Sequence, residues 1–95
     1  MRPTAIIREM LVLSSMKVAA TDESIKEKLA QDLIRIRNEM RESGVEIVDR
    51  EINQLDVSVH YRHDSKLQEA QYMRAMLDAE ARDRVTLLLE EPNTA

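Results

Sequence analysis

The sequence predicts an α+β domain of the ferredoxin-like βαββαβ kind, with one four-stranded sheet and two helices on one face. Three observations point there: a helical stripe from Ile25 to Met40, a stop signal at Gly44, and strict alternation over 55–62. Gly44 is the single glycine in 95 residues, so its role decides the fold class. If it ends the helix, the chain turns there from helix to strand. If the helix runs through it, the chain is all-α, a helical hairpin or coiled coil.

The first element is the most ambiguous. Met10-Leu11-Val12-Leu13 is a short apolar run that suits a strand buried on both faces or a piece of buried helix. A helix start follows it closely, which favours the strand. At that start Thr21 is a candidate cap, and Ser24 with Glu27 is an alternative capping box. The helix then places Ile25, Leu29, Leu33, Ile36 and Met40 on one face and runs to about Ser43. Glycine just past a helix adopts positive φ without steric cost, and an apolar residue such as Val45 is its usual companion.

Residues 45–48 and 55–62 read as the next two strands. In the second, Val57, Val59 and Tyr61 alternate with Ser58, His60 and Arg62. The rival reading takes Val45, Val48, Ile52, Leu55 and Val59 as a helical seam. The density of β-branched residues stands against it. The connection offers only Asn53-Gln54, with no glycine. His63-Asp64-Ser65 breaks the pattern, and Ser65 with Gln68 is a second capping box. The helix predicted there carries Leu67, Ala70, Met73, Leu77 and Ala81, and residues 85–89 read as a short last strand or a final helical turn. One domain over 1–95 is expected, with frayed ends at about 1–4 and 92–95.

Composition limits the function classes. The chain is 43% hydrophobic and 34% charged, as a globular domain is, and carries no cysteine. That excludes disulfides and thiolate chemistry and fits a cytoplasmic setting. A net charge of −4 disfavours broad binding to nucleic acid. No stretch suggests a signal peptide or membrane span. One glycine excludes glycine-rich phosphate loops.

The chemistry on offer is sparse. His60, His63, Asp56 and Asp64 would suit a metal, but strand residues three apart point to opposite faces. Ser58, Ser65 and Thr86 lack the setting of an activated nucleophile. The expectation is therefore a chain without enzymatic activity, metal or cofactor. Its most suggestive feature is double-sided apolarity at 10–13 and 87–89, which on a four-stranded sheet would leave an apolar open face. From this follows a small interaction or regulatory module that binds itself, as a homodimer or higher, through Met10, Val12 and Leu88, with another protein as a further partner. The alternatives are a nucleic-acid-binding regulator using Arg35, Arg37 and Arg41, and a coiled-coil adaptor.

Overall fold

Residues 5–20 form most of a helix, not the expected first strand, and this changes the architecture. The computed structural model describes residues 2–90. In chain order it has α1 (Pro3–Ala19), α2 (Glu23–Glu42), β1 (Glu46–Ile52), β2 (Asp56–His63), β3 (Lys66–Met73) and α3 (Arg74–Glu90). The three strands make one antiparallel sheet in the order β1-β2-β3. The fold is α+β, but it is not a four-stranded ferredoxin-like sheet, and the β1–β2 hairpin rules out the all-α alternative.

Pro3 opens α1 at a position where its missing N–H and fixed φ cost nothing. The helix buries Ile6, Ile7, Met10, Leu11, Val12, Leu13 and Met16, because it packs against both α2 and α3. A helix enclosed on several sides is apolar nearly all round and loses its single stripe. That is why 10–13 looked like a two-faced strand. Three residues, 20–22, connect it to α2. Pro3 and Thr4, expected to fray, lie in the first turn of α1, while 92–95 lie outside the described residues.

Asp22, not Thr21 or Ser24, caps α2. Its carboxylate accepts from the Ser24 N–H at 2.9 Å, the Ser24 hydroxyl at 2.6 Å and the Ile25 N–H at 3.2 Å. These bonds hold its pKa below the ordinary carboxylate value, the Ser24 hydroxyl contributing most. The predicted stripe of α2 is buried at Leu29, Leu33, Ile36 and Met40. Gly44 does end the helix, at φ +71°. The Val45 N–H donates to the Met40 carbonyl at 2.8 Å and the Gly44 N–H to the Arg41 carbonyl at 3.1 Å, a complete Schellman motif. Val45 and Met40 are both buried beneath it.

β2 alternates in direction as predicted, but Ser58, on the outer side, is buried at 5% exposure. Val57, Val59 and Tyr61 are buried on the inner face, and His60 and Arg62 turn outward. Its register with β1 slips between Ile47 and Asp49, so Val48 is bulged out. The bulge reverses the pattern of β1. Ile47 stands opposite Tyr61, but beyond the bulge Arg50 stands opposite Val59 and Ile52 opposite Val57. Were the same residues paired without the bulge, Asp49 and Glu51 would point inward.

The second predicted helix begins eight residues too early. Ser65 is not a helix cap. Asp64 and Ser65 have φ 53° and 62° and form the two-residue turn of the β2–β3 hairpin. Leu67, Ala70 and Met73 belong to β3, and only Leu77 and Ala81 of the predicted stripe are helical and buried. Ala70 faces inward on either reading, so it could not separate them. The predicted last strand is the end of α3. An ion network fastens α3 to α1: Arg84 donates to both oxygens of Glu9, and Arg8 reaches Glu80.

A Cβ built on Gly44 meets nothing within 4 Å. Substitution there therefore costs only backbone conformation. Gly44→Ala is expected to lower stability by about 1–2 kcal/mol, and Gly44→Asn by less, since asparagine tolerates the left-handed region. Urea unfolding of the two variants checks this, and equal stability of Ala and wild type would refute the cap.

Candidate functional site

The outward face of the sheet is polar. Its rows run Glu46–Arg62–Leu67, Asp49–His60–Glu69 and Glu51–Ser58–Gln71 from β1 to β3. His60 lies 3.7 Å from Glu69. His63 is on the opposite face, 3.6 Å from Asp64, so the two histidines do not converge. Among the described residues no group of three or more His, Asp or Glu side chains is arranged to hold a metal ion.

The apolar open face expected from 10–13 and 87–89 does not exist, because both segments are helical. Met10 and Val12 are 8% and 0% exposed and are spent on the chain's own core. Leu88 is half-buried against that core, while Leu87 and Leu89 point outward. Of the three arginines proposed for nucleic acid, Arg35 pairs with Asp32 at 3.4 Å. Arg37 and Arg41, one turn apart, instead line a shared depression.

Two other surfaces are unpartnered among the described residues. The first is the free edge of β3. This strand has eight residues, no bulge, no proline and no glycine. It carries Leu67 and Met73, each 63% exposed, near its two ends. Edges are normally blunted by bulges, proline or inward charge, and β1 has such a bulge. On its inner side β3 is anchored by Tyr72, whose hydroxyl donates to the Thr4 carbonyl at 2.7 Å.

The second is a cleft along the inner side of β1. α3 packs on β2 and β3 and α2 packs chiefly on α1, so the inner face of β1 beyond the half-buried Ile47 stays open. Depressions of ≈ 660 Å³ and ≈ 630 Å³ lie along it and share Arg50 as a wall. A third, of ≈ 430 Å³, shares Arg37 with the first and Ser14 and Val18 with the second. Met10, Met40, Val45 and Leu77 contribute to the apolar floor. Neither surface was named by sequence reasoning. Leu67 and Met73 were absorbed into a helical stripe, and the inward aim of Arg50 and Ile52 depends on a bulge that leaves no mark in the residue pattern.

Comparison with known proteins adds a family. Residues 4–93 match the YhjD protein family, which is nearly the whole chain, so the chain belongs to that family. No curated protein and no solved structure matches it. No helix among the described residues is long and apolar enough to cross a membrane.

Burial pushes the Tyr72 hydroxyl up from 10.0 to about 12, with the neighbouring Tyr61 adding to the shift and Arg8 opposing it. A phenol whose folded pKa is raised stabilises the fold fully below its unfolded pKa and loses that contribution as pH rises through the folded value. Stability is therefore expected to fall between pH 10 and about 12. Tyr72→Phe should remove that fall and the matching step in tyrosinate absorbance. Loss of a step near pH 10 and not near 12 would contradict the anchoring of Tyr72.

Proposed function

We propose that this member of the YhjD family is a cytoplasmic protein-interaction module that self-associates as a two-fold dimer through the β3 edge. One observation carries the reading: the regular free edge of β3 with Leu67 and Met73 exposed near its two ends. Lack of cysteine supports the cytoplasmic setting.

The geometry of the hairpin selects a register. His63 and Lys66 close the two-residue turn as a hydrogen-bonded pair. Alternation then turns the N–H and C=O of 67, 69, 71 and 73 toward the free edge. A second β3 must pair antiparallel with these same residues, keeping inner face beside inner face. Centring the axis on Ala70 places Leu67 opposite Met73 of the partner strand and Glu69 opposite Gln71. Both exposed apolar side chains are then covered twice over. Shifting the axis to Glu69 would set two carboxylates face to face and leave Met73 unpaired. The outcome is a continuous six-stranded sheet.

Light scattering behind size exclusion is expected to give a dimer at tens of micromolar. Gln71→Pro removes only an outward N–H, which edge strands tolerate, and should yield a folded monomer. Leu67→Lys with Met73→Lys should weaken the dimer at least about tenfold by circling the axis with charge. Ala70→Cys should oxidise to a linked dimer, since Ala70 faces its own copy across the axis at the closer, non-hydrogen-bonded spacing. A wild-type monomer, or dimers that survive both edge variants, would overturn the reading.

A further inference from the structure

We propose that the cleft along β1 takes an acidic amphipathic peptide segment of another protein. The argument begins with how charge is distributed. The chain has a net charge of −4, yet seven lysines and arginines line the three joined depressions against two carboxylates, Glu46 and Asp78. Six of the fourteen lysines and arginines are matched, Lys26 at the rim of the third depression among them. Arg8, Lys26, Lys28, Arg35, Arg62 and Arg84 each lie within 4.0 Å of a carboxylate. Of the eight remaining lysines and arginines, six line the cleft: Lys17, Arg37, Arg41, Arg50, Arg74 and Arg82. None of these six has an ion-pair partner among the described residues. A cluster of seven cations with only two carboxylates in it favours an anionic partner.

The form of the partner follows from the floor and the spacing. Apolar side chains lie between the cations, and Val18 and Ile52 at the margin are 88% and 59% exposed. A partner must therefore offer apolar groups together with negative charge. The cations stand on α1, α2, β1 and α3, strung along the cleft, and do not converge on one point as a single headgroup requires. No aromatic side chain lines any of the three depressions, so bases would find nothing to stack on. Carboxylates repeated along an apolar-faced segment match both features, as in helix-in-groove recognition. Arg37 and Arg41, first singled out as phosphate contacts, are thereby assigned to carboxylates.

The cleft and the β3 edge lie on opposite sides of the sheet, so the two proposals stand or fall separately. The test uses fluorescence anisotropy with a labelled synthetic peptide of about 18 residues, leucine and glutamate set at helical spacing. Binding is expected to wild type and equally to the monomeric Gln71→Pro variant. Arg41→Glu with Arg50→Glu should weaken it at least about tenfold, and Ile52→Asn several-fold. Arg35→Glu, away from the cleft, should leave it unchanged. Raising salt should weaken binding, because the rim charges are solvent-exposed. Equal affinity for the glutamine version of the peptide would overturn the proposal, as would no binding at all. Tighter binding of a single-stranded oligonucleotide or of dodecyl phosphate would also overturn it, assigning the cleft to those ligands instead.

Discussion

The burial of α1 organises the rest of the molecule. Seven of its side chains are in the core, and they cannot be covered by one neighbour. Each large aliphatic residue so enclosed contributes roughly 1.5–3 kcal/mol relative to exposure. α2 covers one flank and α3 another, with the Arg8, Glu9, Glu80 and Arg84 network fixing the second contact. Because α2 is engaged chiefly beside α1, it covers little of the sheet. A sheet of three strands with α3 over β2 and β3 is then left with β1 uncovered. The cleft is thus a consequence of satisfying the central helix.

The bulge at Val48 decides what that uncovered strand displays. One extra residue sends Arg50 and Ile52 to the cleft and Asp49 and Glu51 to the outer face. The same change separates the charges of the whole domain. Carboxylates gather on the outward face of the sheet, where Arg62 partly offsets them, and unpaired arginines gather on the inner side. A chain that is acidic in sum therefore carries a basic groove, and net charge alone misstates what it attracts.

The proposed surfaces are compatible because they use different edges. Pairing at β3 would extend the sheet away from the cleft and leave two clefts on one two-fold dimer. Their partners would then be held by two copies at once, which raises avidity without any new contact. Met10 and Val12, first considered for the interface, do their work inside the chain. What remains on the surface is backbone at one edge and charge at the other.

Much of the fold was legible in the residues. The stripe of α2, its end at Gly44 and the period of β2 were all readable, because each depends on neighbours within a few residues, whereas the caps read at Thr21, Ser24 and Ser65 are not the ones used. Leu67, Ala70 and Met73 show the limit of that reading. Their spacing satisfies a helix, yet the turn at Asp64 and Ser65 feeds them into a strand whose pairing with β2 outweighs local propensity. The segment 10–13 shows it again, since apolarity on every side does not distinguish a buried helix from a buried strand. Sequence by itself determined the stop at Gly44, the periods of α2 and β2 and the inventory of charge. Only tertiary structure decided which element encloses α1, which face Arg50 takes and which strand edge stays free, because those depend on what packs against what and not on any residue's own preference.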